Sequence, residues 1–137
     1  MLCELVAQAL QPTLDRLNIS YGAFELLSAI RSAGDNANQA EIARRLGITA
    51  PSLTEAVRAA IGSGLIEQVP VATDARAKNL RLSPKGKAAL AKILEEVNQT
   101  EQILVVGIED RVLRSVLTVL KTANRNLARK INDRRMG

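Results

Sequence analysis

Histidine and tryptophan are absent from the 137 residues, and cysteine, tyrosine and phenylalanine occur once each. Each scarcity removes a class of function. Without histidine there is no imidazole general base and no His-based metal site. A single cysteine forbids an intrachain disulfide, which fits a reducing compartment. Two aromatic rings make a poor stacking pocket for a flat ligand. Although 47 % of residues are hydrophobic, no uninterrupted apolar run approaches the ~20 residues of a membrane span. The opening Met1-Leu2-Cys3-Glu4-Leu5 carries an acid and no basic n-region, unlike a secretory signal. There is no paired-carboxylate constellation and no Gly-rich phosphate loop. The expectation is a cytoplasmic protein that is not an enzyme, has no contact with membrane, and needs no cofactor and no metal.

What is present is positive charge, and it is localised. The formal net charge is +5. Between Gln39 and Lys92 nine bases face four acids, an excess of five. The remainder holds ten bases and ten acids and is neutral. A net-positive stretch of this kind is the electrostatic footprint of a polyanion binder. An ordinary solvated face is the plainer alternative.

The basic stretch has a pattern of its own. Asn38 is placed to cap a short helix, with Glu41 three residues on as a capping box. Ile42, Ala43 and Leu46 share its inner face, and Gly47 suits its C-terminal cap. Only Ile48 and Thr49 separate it from a second helix, for which Thr49 is the cap and Pro51 a first-turn residue. Leu53, Ala56, Val57 and Ala60 recur at i, i+3, i+4 and i+7, an apolar stripe. Pro51, Thr54, Glu55 and Arg58 repeat that spacing on the other side. Two short helices joined by a tight glycine-containing turn form a helix-turn-helix. Gly62-Ser63-Gly64 ends the second helix, and strands follow at Leu65–Val69 and Asn79–Leu82. The intervening Pro70–Lys78 reads as a long, charged, protruding loop. A hairpin of this kind after a helix-turn-helix is a wing.

Flanking segments are helical. Residues 3–17 form a first helix, kinked or ended at Pro12. Ser20 caps a second over 21–32, which buries Ala23, Phe24, Leu27 and Ile30 and breaks at Gly34-Asp35-Asn36. Ser83-Pro84 starts a long helix to about 106, with Leu90, Ile93, Leu94, Val97, Ile103 and Leu104 on its apolar side. A last helix over 109–133 carries Leu113, Val116, Leu117, Leu120, Leu127 and Ile131. Long amphipathic terminal helices with no neighbouring domain cover each other or a second copy. A homodimer through the first and last two helices is expected. The predicted fold is mainly α (α+β), a single domain over 1–137. Within it a winged helix-turn-helix spans 19–90, with dimerisation helices at 1–17 and 91–137.

This ordered set resembles the MarR family of bacterial transcription regulators, over about Ile19 to Leu90. Three pieces carry the likeness. They are Ile19-Ser20-Tyr21-Gly22-Ala23-Phe24-Glu25-Leu26-Leu27, then Ala40–Ile48 followed by Ser52-Leu53-Thr54, then Gly64-Leu65-Ile66 with Asp74-Ala75-Arg76 and Leu82-Ser83-Pro84-Lys85-Gly86. Departures are Gln68, where the family commonly has a base, and Ala60-Ile61-Gly62, which replaces the usual leucine-plus-charge ending. The resemblance implies a dimeric repressor that reads a pseudo-palindromic double-stranded DNA operator. Base reading then falls to Ser52, Thr54, Glu55 and Arg58, with Pro51 against the backbone or a thymine methyl. Glu55 either accepts from cytosine or pairs with Arg58. Arg76 is the wing residue for a minor groove. Asp74 either orients a wing arginine or bonds its own turn. Arg44, Lys78, Arg81 and Lys85 are phosphate contacts or solvated bases.

The resemblance further implies a small-molecule effector that relieves repression. Its candidate lining is Leu10, Leu14, Tyr21, Phe24 and Leu27, each of which also suits core packing. Some family members sense oxidants through a cysteine on the first helix, which makes Cys3 a redox candidate. A sensing thiol needs surroundings that favour thiolate, and Glu4 beside it works the other way. Oxidant sensing through Cys3 and a winged-helix protein-interaction module stand as the alternative functions.

Overall fold

The computed structural model describes residues 2–34 and 37–136, with the side chains of residues 2, 3, 75–77, 128 and 131–136 outside that description. The elements run α1 (Leu2–Leu17), α2 (Tyr21–Ala33), β1 (Ala37–Asn38), α3 (Gln39–Leu46), α4 (Ala50–Gly62), β2 (Ile66–Val71), β3 (Asp74–Leu82), α5 (Pro84–Leu104) and α6 (Asp110–Met136). They divide into two compact units, Met1–Thr100 and Glu101–Gly137.

In the first unit every predicted helix is present. α1 passes unbroken through Pro12, so the expected break does not occur. A proline there deprives only the Gln8 carbonyl of its helical donor, and Gln8 is exposed, where water can serve instead. Ser20 caps α2 by accepting from the Ala23 N–H at 3.1 Å. Leu26, Leu27, Ala29 and Ile30 are the buried residues of α2, while Ala23 and Phe24 are half-buried. The core joins these to Leu10 and Leu14 of α1, Ile42 of α3, Leu53 and Val57 of α4, Leu80 of β3, and Leu90 and Ile93 of α5. One apolar cluster therefore fixes α4 from behind.

The sheet has the order β1-β3-β2 and is antiparallel throughout. β1 pairs Ala37 with Leu80 and Asn38 with Asn79. Two residues carry no periodicity, so nothing in the sequence announces this strand. The hairpin corrects the long-loop expectation. β2 continues to Val71 and β3 begins at Asp74, leaving Ala72-Thr73 as the turn. Glu67 pairs with Arg81 and Val69 with Asn79, and the register shifts between Pro70 and Val71. Pro70 has no N–H for the ladder, and β2 is an edge strand, where proline is tolerated. Residues 75–77 are the extra residues of β3 at that shift.

Gly86 near the start of α5 lies against the main chain at the end of α4. A Cβ there would stand 1.9 Å from the Leu65 carbonyl oxygen. No other residue type fits without moving the backbone.

In the second unit α6 follows a turn at Gly107, whose φ is 79°. Its predicted stripe is present, but Leu113 is half-buried and Val116, Leu117, Leu120 and Leu127 are exposed on the single chain. Ile131 lies outside the described side chains. Among the described residues no helix is long and apolar enough to cross a membrane.

Two glycine substitutions test this packing. Gly86→Ala should destabilise the fold by about 2 kcal/mol or more through the backbone clash. Gly62→Ala meets nothing within 4 Å and should be neutral or stabilising by up to ~1 kcal/mol. Urea unfolding midpoints separate the two.

Candidate nucleic-acid interface

The helix-turn-helix is set by local chemistry. Asn38 caps α3, its side-chain oxygen accepting from the Ala40 N–H at 2.8 Å. The expected partner in a capping box, Glu41, instead accepts from Arg45, Nη2 at 2.7 Å and Nε at 3.0 Å. The i,i+4 spacing brings the opposite charge within reach, and Arg45 is thereby engaged. Gly47 ends α3 in the left-handed region with φ 67°. Thr49 then caps α4: its Oγ1 accepts from the Ser52 N–H at 3.3 Å and lies 2.9 Å from the Ser52 hydroxyl.

This cap orients the outer face of α4. Pro51, Ser52, Thr54, Glu55 and Arg58 are all exposed, while Leu53, Val57 and Ala60 are buried behind them. The Thr54 hydroxyl donates to the Ala50 carbonyl at 2.9 Å, so its remaining capacity is as an acceptor. Glu55 and Arg58 make no hydrogen bond or ion pair among the described residues, so the intrahelical pair considered for them is not formed. Arg44 is exposed on α3 and likewise unpaired among the described residues, in contrast to its neighbour Arg45.

The wing divides its bases. Arg81 is exposed but held across the strands by Glu67, at 2.8 Å from Nη2 and 2.9 Å from Nε. Such an exposed pair contributes ~0.2–1 kcal/mol and can exchange for a phosphate. Lys78 and Asp74 are exposed on β3. The Arg76 side chain lies outside the described residues, as does that of Cys3.

Lys85 is placed differently from the expectation of a free base. Its Nζ donates to the Ser63 carbonyl at 2.7 Å, so it caps the C-terminus of α4. Next to it Ser83 is buried. Its hydroxyl donates to the Gly64 carbonyl at 2.6 Å and accepts from the Gly86 N–H at 2.9 Å. The Ser83 N–H donates to the Leu65 carbonyl at 3.0 Å. One side chain thus closes the end of α4, the root of the wing and the start of α5.

Of the five predicted ligand residues, Leu10, Leu14 and Leu27 are fully buried core. Tyr21 and Phe24 meet each other edge to face, with centroids 5.7 Å apart at 70°. A cleft of about 680 Å³ lies between α1, the start of α2 and the back of α4, and Leu14 alone of the five borders it. Its wall of Ala56, Ala59, Ala60 and Ser63 was visible in the sequence only as an unusually small end to the helix. Among the described residues no cluster of His, Cys, Asp or Glu could hold a metal ion.

Residues 17–77 match the profile of the MarR family. MarR of Staphylococcus aureus, solved with salicylate and kanamycin, is 25% identical, with 89% of this chain and 82% of that one covered at a TM-score of 0.79. Over residues 17–77 the chain is similar to the MarR family. The S. aureus MepR–DNA complex is 22% identical, with 93% and 95% covered at a TM-score of 0.67. Wild-type apo MarR of E. coli is 22% identical, with 88% of this chain and 89% of that one covered at a TM-score of 0.72. The fold of this chain is thus shared with these proteins over most of its length, and the family match spans α2 through residues 74–77.

Ser83→Ala removes a cap and strands the Gly64 carbonyl. The expected cost is about 2 kcal/mol. Faster amide exchange across residues 63–65, together with a lower urea midpoint, checks it.

Proposed function

We propose that this MarR-like protein is a sequence-specific DNA-binding transcription regulator, a dimeric repressor relieved by a small ligand. The observation that carries the reading is α4. A side-chain cap and a buried apolar stripe hold it rigidly, and its free face is short-polar with one unpaired arginine. It sits in residues 39–92, where nine bases outnumber four acids. The MepR relative is solved bound to an oligodeoxyribonucleotide, and this chain shares its fold. The family is one of transcription regulators rather than enzymes.

In this reading Arg58 donates to guanine, while Ser52 and Thr54 contact base edges through hydroxyls already oriented by Thr49 and Ala50. Glu55 selects for a cytosine amino group or against a phosphate. Arg44 and Lys78 are the phosphate contacts with no competing partner among the described residues, and Arg81 joins them when Glu67 releases it. Lys85 supports α4 and serves phosphate second. Arg76 enters the minor groove. The domain division is a reader over 19–90 with dimerising helices at 1–17 and 91–137. The exposed apolar residues of α6 are what a second copy would cover. The S. aureus MarR structure holds salicylate and kanamycin, which supports a small-molecule effector here.

Selection from a random DNA pool should return a pseudo-palindrome. With it, log K against log salt should fall with a slope of about −4. Arg58→Ala should cost ~1–3 kcal/mol per half-site and relax preference at one base. Arg76→Ala should weaken binding strongly while the dimer stays folded. Salt-independent binding, or no DNA selected, would point instead to a protein-interaction module. Loss of DNA binding under peroxide in wild type but not in Cys3→Ser would identify an oxidant sensor.

A further inference from the structure

We propose that the cleft behind α4 is a binding site for a small lipophilic cation, an aromatic or alkyl amine. Its size, about 680 Å³, lies within the ~300–1,000 Å³ usual for small-molecule sites. Its floor is apolar, formed by Leu14, Ile19, Leu26 and Leu65, all buried. The wall from α4 consists of Ala56, Ala59, Ala60 and Ser63. Leucine at these alanines would fill the space, and Ala60 belongs to the departure at the end of α4.

The sign of the charge decides the ligand class. The chain carries 19 bases against 14 acids. Yet among the described residues Asp15 and Glu25 are the charged side chains that line this cleft. Asp15 is oriented by Gln11, whose Nε2 donates to it at 2.7 Å. Glu25 has no hydrogen bond or ion pair among the described residues. Helix ends add to the same sign. α1, α3 and α4 all finish at the cleft, marked by Asn18, Leu46 and Ser63 in its lining. Each C-terminus presents partial negative charge, against the single N-terminus of α2. The Lys85 ammonium, outside the lining but 2.7 Å from the Ser63 carbonyl, sets one positive charge near that end against the two carboxylates. An apolar floor under two carboxylates favours an amine whose charge stays at the rim. A carboxylate or phenolate of the same shape would meet like charge.

An occupant here touches the back of α4, on the opposite side from Arg58. The effect on DNA rests on the regulator reading above, whereas the binding itself does not. The test uses the full-length protein and two probes of matched shape, 2-naphthylmethylammonium and 2-naphthoate, followed by amide chemical shifts and calorimetry. The ammonium should bind at least about tenfold more tightly, with shifts at the start of α2 and the last turns of α4. The double variant Asp15→Asn/Glu25→Gln should bring the two probes to within about threefold. Ala59→Leu, checked for an unchanged melting profile, should weaken both more than about tenfold. Equal or reversed preference, a preference kept in the double variant, shifts elsewhere, or no ammonium binding at millimolar concentration would each overturn the proposal. A gel shift on the same samples without probe tests DNA binding separately. Failure there with the probe preference intact would remove the regulator reading and leave the site standing.

Discussion

The fold turns on a junction of a few atoms at Ser83. Its hydroxyl bridges the Gly64 carbonyl and the Gly86 N–H, while its own N–H holds the Leu65 carbonyl. Gly86 packs so closely on Leu65 that no side chain could stand there. The end of the reader helix, the root of the wing and the first turn of α5 therefore meet in one buried hydrogen-bonded knot. A buried hydroxyl that both donates and accepts leaves no polar group stranded, which is what makes such a joint stiff. Any force along α5 acts on α4 through it.

That stiffness matters because α4 is short. Thirteen residues form a marginal helix in isolation. It is held by Thr49 at its start, by Ser63, Lys85 and the Ser83 knot at its end, and by Leu53, Val57 and Ala60 in the core. What remains outside is a face with few internal obligations. The surface sorts its bases in the same way. Arg45 and Arg81 are paired with Glu41 and Glu67, whereas Arg44 and Arg58 are unpaired among the described residues. Formal charge alone treats these arginines as equal, while geometry separates those available to a polyanion from those engaged.

The small residues at the end of α4 link the reader to the cleft behind it. Alanine at 56, 59 and 60 keeps the helix while removing the bulk that would fill the space against α1 and α2. The same helix thus presents a polar face with Glu55 and Arg58 on one side and borders an acidic-rimmed hollow on the other.

By itself the sequence determined the helices, their caps at Ser20, Asn38 and Thr49, the left-handed glycine at 47, and the reader face. These depend on neighbours three or four residues apart, so spacing alone displays them. Tertiary structure decided the rest. The strand Ala37–Asn38 exists only because β3 lies beside it. The wing's strands extend past Pro70 because cross-strand pairing outweighs weak local preference. Arg81 found Glu67, and Lys85 found the Ser63 carbonyl, partners 14 and 22 residues away. Of the effector residues inferred from the family resemblance, Leu10, Leu14 and Leu27 are core, Tyr21 is exposed, and the cleft borders Leu14 alone of the five. Periodicity reports which face of a helix is buried, but not where facing elements leave space between them.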